Sequence, residues 1–148
     1  MSTELQAFGA QLRRMNGEMN RLVHSFALEQ GLHATDVQAL AAILDAEEPP
    51  TPGMLRAHLG LTSGAVTACL DRLERAGHIS RSRESRDRRV VHLHYAPGAR
   101  AAARTFFRPL AEATESVRGR FTEDELAVVV RFLAALNEEF GTARAPHT

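Results

Sequence analysis

Arg81, Arg83, Arg86, Arg88 and Arg89 place five guanidinium groups within nine residues. A guanidinium offers a planar fork of N–H donors that matches phosphate oxygens, and so dense a run suits a polyanion better than an apolar partner. The residues around them, Leu61 to Tyr95, read LTSGAVTACLDRLERAGHISRSRESRDRRVVHLHY. On a wheel at about 100° per residue, the stretch from Ser63 to Ala76 gathers Val66, Cys69, Leu70 and Leu73 on one apolar face. Ser63 and Thr67 flank that face, while Gly64, Ala68, Asp71 and Arg75 point away from it and Arg72 lies on the other flank. Small hydroxyl and methyl groups at the start of a helix let it sit deep in a DNA major groove, hydrogen-bonding base edges and touching thymine methyls. Ser63, Gly64, Thr67 and Ala68 are therefore the candidate base readers. Arg72 and Arg75 are placed to approach phosphates, and Arg86, Arg88 and Arg89 to contact DNA from the arginine-dense turn.

The elements that must hold these groups are legible from period and punctuation. Leu5, Phe8, Leu12, Met15, Met19, Leu22, Val23 and Phe26 recur at three- and four-residue steps, the stripe of a helix from about residue 4 to 29 that stops at Gly31. Thr35 is read as the cap of a second helix with Val37, Leu40, Ala41 and Leu44 inward. Pro49 and Pro50 end it, and Thr51-Pro52 opens a short third helix to Leu59 before Gly60. Thr62 opens the helix that carries the readers and Gly77 closes it, so two helices joined by a short glycine-containing turn form a helix-turn-helix. A strand near Ile79 to Arg83 then pairs with the alternating run Val90 to Tyr95, and the arginine-dense turn becomes the tip of a β-hairpin. Pro97 starts a helix to about residue 119. Thr122 and Glu125 make a capping box before Leu126, Val129, Val130, Leu133, Leu136 and Phe140. Val128 and Phe132 widen that apolar arc beyond what one chain can cover, and the tail from Gly141 reads as frayed.

Charge supports the polyanion reading once it is resolved along the chain. Eighteen basic side chains, all Arg, balance eighteen acidic ones. Residues 1–50 carry three Arg against seven acids, residues 51–95 eight Arg against four, and residues 96–148 seven of each. The excess of positive charge thus coincides with the helix and hairpin described above, and local charge sets the field a partner meets. A single cysteine, Cys69, precludes an intramolecular disulfide framework. No leader pattern opens the chain and no apolar run approaches ~18 residues, so the expectation is a cytoplasmic protein without membrane contact.

This order of elements, with these residues, resembles the MarR family of bacterial winged-helix transcription regulators. The resemblance runs from about Leu5 to Phe140 and is most specific where LTSGAVTACLDRLERAGHISR meets ESRDRRVVHL. The family's Asp-x-Arg wing signature is matched by Asp87 and Arg89. It implies a mainly α fold with a small β-hairpin, a winged helix-turn-helix over 31–97 and long N- and C-terminal dimerisation helices over 1–30 and 98–148. It implies double-stranded DNA as a partner, with Arg89 entering the minor groove, and Asp87 holding the wing by pairing with an arginine such as Arg81. It also implies a homodimer reading a pseudo-palindromic operator with half-sites ~34 Å apart, acting as a repressor relieved by a small aromatic or lipophilic effector. Three positions depart from the family pattern: Ala68 stands where relatives carry a longer polar side chain, Tyr95-Ala96 replaces Leu-Thr before the fifth helix, and Cys69 replaces an aliphatic residue.

Other residues give weaker signals. Met15 and Met19 read as inward-facing, one turn apart, and with Arg14 could line an effector pocket, although ordinary dimer core is the simpler explanation. Cys69 sits on the inner face, where a thiol behaves as a small hydrophobe rather than a redox switch. His92 and His94 share a strand face but lack the third and fourth ligands that a zinc site needs. No cofactor or metal is implied, and the motifs of serine hydrolases, P-loop enzymes and zinc proteases are missing, so the chain does not read as an enzyme. The alternative is a winged-helix module that binds protein and has no DNA operator.

Overall fold

The computed structural model describes residues 2–83, 86–87 and 89–143. Helices α1 (Thr3–Gln30), α2 (Ala34–Asp45), α3 (Pro52–Leu59) and α4 (Ser63–Arg75) precede strands β1 (Ile79–Ser82) and β2 (His92–Tyr95), and α5 (Pro97–Arg118) and α6 (Glu123–Ala143) follow. The chain forms two compact units, 1–106 and 107–148, with α5 passing from one into the other.

In the first unit each helix is bounded by local chemistry. The Ser2 hydroxyl accepts the Leu5 N–H at 3.3 Å to start α1. Gly31 ends it at φ 66°, where Leu32 N–H turns back to the Ala27 carbonyl at 2.7 Å, a closure that needs a left-handed residue. Thr51 and Thr62 cap α3 and α4 through their hydroxyls, each accepting a backbone N–H at 3.2 Å. The start of α2 differs from the sequence reading. Thr35 lies inside the helix, because the Asp36 carboxylate reaches back to the His33 N–H at 2.9 Å and begins the helix two residues earlier.

The strands pair antiparallel, with Ile79 opposite Tyr95 and Ser82 opposite His92. Val90 and Val91 stay outside this ladder, and the Val90 N–H is taken by the Asp87 carbonyl at 3.0 Å in the turn. On its other edge β2 donates the Leu93 N–H to the Pro50 carbonyl at 2.9 Å. A proline has no N–H of its own, so Pro50 can join the sheet only as an acceptor.

The core of this unit gathers Phe26, Leu40, Leu55, Val66, Leu70, Leu73, Ile79 and Leu93, all buried. The Phe26 ring lies 5.1 Å from that of Phe106 and meets the His78 ring edge-on at 6.4 Å. Only the last turns of α1 join this core, through Phe26 and Ala27. Met15 and Met19, read from the sequence as inward-facing, are exposed, as is Leu5.

In the second unit the Thr122 hydroxyl and the Glu125 carboxylate form the capping box that starts α6. The helix continues past Gly141 to Ala143, with Thr142 donating to the Glu138 carbonyl at 3.0 Å. Val128, Val129, Val130, Phe132, Leu133 and Phe140 are all exposed along it.

His78 is buried and its Nδ1 has no hydrogen-bond partner. Burial disfavours the imidazolium and lowers its pKa below the ordinary value of 6.5. The unfolded chain takes up a proton near that value while the folded chain resists it, so the His78 contribution falls as pH drops below 6.5. His78→Leu is expected to flatten the fall in denaturant midpoint between about pH 7 and 5; a pH dependence identical to the unsubstituted protein would contradict the burial argument.

Candidate nucleic-acid interface

α4 has two chemically distinct sides. Val66, Cys69, Leu70 and Leu73 are buried, with Leu73 at 0% exposure, while Ser63, Gly64, Thr67, Ala68, Asp71 and Arg75 are exposed. The four candidate readers therefore stand together on the outer surface of the first two turns. A side chain at Gly64 would meet nothing within 4 Å, so the glycine serves no internal packing need and leaves the helix surface low at that point. Thr67 donates its hydroxyl proton to the Ser63 carbonyl at 2.9 Å, which leaves the oxygen free to accept.

Arg56 was not singled out from the sequence. From α3 its Nη1 donates to the Ser63 hydroxyl at 3.1 Å, bridging the two helices at the outer surface and adding a cation beside the readers. Its position seven residues before Ser63, across the Gly60 turn, is the signal that a helix-turn-helix geometry could have supplied.

The Arg72 guanidinium is engaged within the fold. Its Nε and Nη2 donate to the two oxygens of Asp36 at 2.9 and 2.8 Å, a bidentate pair linking α4 to the first turn of α2. Asp36 is fully buried, and the Arg72 side chain retains 30% exposure. Burial by itself would push the Asp36 carboxyl up. The Arg72 guanidinium, the His33 N–H and the Cys69 thiol more than compensate and hold it below the usual carboxylate range. The same site pushes the Cys69 thiol up to about 12, through burial and the adjacent Asp36 charge. A thiol so reluctant to ionise is a poor redox nucleophile.

The hairpin is tied to α4 rather than only to itself. The family resemblance implies that Asp87 pairs with an arginine such as Arg81; the Arg81 guanidinium goes instead to Asp71 at 2.6 Å and Glu74 at 2.8 Å. These two acids lie on the outer side of α4, so Arg81 also neutralises charge that would repel a phosphate backbone. Asp87 organises the turn, its Oδ1 accepting the Arg89 N–H at 2.9 Å. Arg83, Arg86 and Arg89 are exposed; Arg88 lies outside the described residues. Across the strands, Ser82 Oγ and His94 Nε2 are 2.6 Å apart.

The residues considered for an effector pocket lie along α1. Arg14, Met15 and Met19 are exposed. One cavity of about 280 Å3 lies among Ile43, Glu47, Leu93, Tyr95 and Arg100. Another, of about 550 Å3, lies among Gln30, Ala101, Thr105 and Phe106. Among the described residues no group of three or more His, Cys, Asp or Glu side chains could hold a metal ion, and no helix is long and apolar enough to cross a membrane.

Residues 30–90 match a family model described as MarR family. An HTH-type transcriptional regulator of Bacillus subtilis, YcgE, is 36% identical over 132 residues, covering 88% of this chain and 85% of its own. Streptococcus pneumoniae FabT in complex with DNA superposes with a TM-score of 0.65 at 28% identity, over 95% of this chain and 99% of that one. A MepR mutant from a multidrug resistant S. aureus clinical isolate reaches a TM-score of 0.77 at 16% identity, over 90% and 96% of the two chains, a likeness of fold.

Arg81→Ala is expected to loosen the hairpin with little loss of global stability, since partly exposed ion pairs contribute only about 0.2–1 kcal/mol each. Amide exchange should accelerate across Ile79–Ser82 and His92–Tyr95 while the core of α2 and α4 keeps its protection. Unchanged exchange in both strands would mean the pairs to Asp71 and Glu74 do not hold the wing.

Proposed function

The chain belongs to the MarR family of transcription regulators, and from that premise we propose that it binds double-stranded DNA as a homodimer through α4 and the hairpin wing. The observation that carries this reading is the joint exposure of Ser63, Gly64, Thr67 and Ala68 beside a hairpin bearing Arg83, Arg86 and Arg89. Small side chains let α4 approach base edges in the major groove, and the wing arginines reach the backbone and the adjacent minor groove, where A·T tracts concentrate negative potential. Arg56 and Arg75 add phosphate contacts flanking the readers, and Arg88 adds a further cation to the same stretch of sequence. FabT, the relative solved with DNA, supports the choice of partner.

A second copy of the chain is the natural cover for the exposed apolar residues of α1 and α6, because a water-facing arc of that width carries a large hydration cost. Two reading helices related by a two-fold axis call for a pseudo-palindromic operator. Occupying such a site within a promoter blocks polymerase, which makes the protein a repressor acting in the cytoplasm. A small aromatic or lipophilic effector relieves repression only by binding one spacing of the two reading heads better than the other. Arg14, Met15 and Met19 enter this scheme at the subunit interface, where a partner helix could close a pocket over them. No catalytic step is part of the reading.

The test is a fluorescence-anisotropy titration against the intergenic DNA upstream of the protein's own gene, with scrambled duplex as competitor. A dimer neutralising about six to ten phosphates should lose ~10³–10⁵ in affinity between 50 and 200 mM salt. Binding that is absent, or insensitive to salt, would favour a protein partner instead. Arg89→Ala is expected to weaken operator binding while light scattering still reports a dimer. Thr67→Ala should change which bases are preferred more than overall affinity; uniform weakening on every duplex would remove its role as a reader.

A further inference from the structure

Asp36 is the one buried carboxylate among the described residues, and it receives more donors than a helix cap requires. The His33 N–H at 2.9 Å already serves the start of α2. The remaining donors come from α4, where Arg72 gives two N–H groups at 2.9 and 2.8 Å. Arg72 lies on a flank of that helix, between the buried face and the exposed face that carries the readers. A carboxylate anchored in α2 therefore grips α4 by a bidentate pair at that flank.

Such a grip restrains roll about the helix axis in a way that apolar packing does not. Leucine and valine side chains can slide against neighbours at small cost, whereas hydrogen bonds to a charged group are directional and strong. A roll of about 20° carries a group at a radius of ~5–6 Å through roughly 2 Å, enough to break these bonds. The same roll would swing Ser63, Gly64, Thr67 and Ala68 by a comparable distance across the base edges. The pair also has an electrostatic consequence. Arg72 is close enough to the surface to meet DNA, yet its charge is neutralised and its donors are oriented inward.

We propose that Asp36 is a positioning residue for DNA reading, fixing the roll of α4 through Arg72 and withholding the Arg72 guanidinium from phosphates. This rests on the DNA-reading role given to α4 above. It makes Asp36 a determinant of discrimination, although it touches no DNA, and it makes Arg72 a structural cation within a basic surface.

The test uses the full-length protein and a duplex enriched from a randomised library by the unsubstituted chain, compared with a scrambled duplex of equal length. Asp36→Asn keeps the side-chain shape but removes the charge that holds Arg72. It is expected to bind scrambled duplex more tightly, with a salt slope steeper by about one per protomer, and to lose about tenfold or more of the preference for the enriched duplex. A residue important only for folding would lower affinity for both duplexes together and leave the slope unchanged; that result, or the unsubstituted slope and preference, overturns the proposal. Should Asp36→Asn fail to fold, Asp36→Leu combined with Arg72→Met replaces the pair by apolar groups, an exchange that often preserves or raises stability. That folded double variant is expected to lose preference without gaining slope, and discrimination equal to the unsubstituted chain overturns the proposal. An unsubstituted protein that enriches no sequence would instead refute the DNA-reading role, and the clamp with it.

Discussion

Burial of a single face of α4 is the constraint on which the first unit is organised. Val66, Cys69, Leu70 and Leu73 go into the core together, and a rigid 13-residue helix that buries one side must present the other. α2 and α3 supply the apolar surfaces, with Leu40 and Leu55 buried on them, and the hairpin follows α4 directly through Gly77 at φ 79°. The positive φ turns the chain sharply enough for His78 to close the helix end and for Ile79 to enter the core one residue later. The position of the wing beside the reading helix is thus a consequence of where α4 ends.

The polar exception inside that core is informative because it is costly. A buried carboxylate must be matched by donors or it destabilises the fold, and replacing Asp36 and Arg72 by apolar groups could give an equally stable interior. What apolar packing lacks is direction. A site that reads bases needs its side chains held to within a fraction of an ångström, and hydrogen bonds to Asp36 supply angular restraint where dispersion contacts do not.

Charge is managed by pairing rather than by sequence-wide excess. The chain has no formal net charge, and the reading helix itself carries Asp71 and Glu74 on its outer side. Arg81 takes both of these acids and in doing so attaches the wing to α4. Arg83, Arg86 and Arg89, farther along the chain, are exposed, so the surface offered to a polyanion is more basic than the composition implies. In the second unit the opposite situation holds: α6 exposes valine, leucine and phenylalanine side chains that only another surface can cover.

Local chemistry alone determined much of this protein. The glycines at 31, 60 and 77, the threonine caps at 51 and 62, the Thr122–Glu125 box and the apolar stripes are short-range signals, and helix and strand order, the split faces of α4 and the arginine-dense turn could be read from them directly. The MarR resemblance was visible for the same reason, since its motifs are contiguous in the chain. What the tertiary structure decided are pairings between residues distant in sequence. Arg72 and Asp36 are thirty-six positions apart, and a helical wheel shows that Arg72 lies on a flank without showing which element lies across from it. Arg81 was expected to pair with a nearby aspartate in the turn and chose two acids on the preceding helix, because the hairpin folds back along α4. Met15 and Met19 looked inward by periodicity, yet periodicity reports only that a face is apolar. Which surface covers that face depends on how elements meet in space, and no pattern along one helix carries that information.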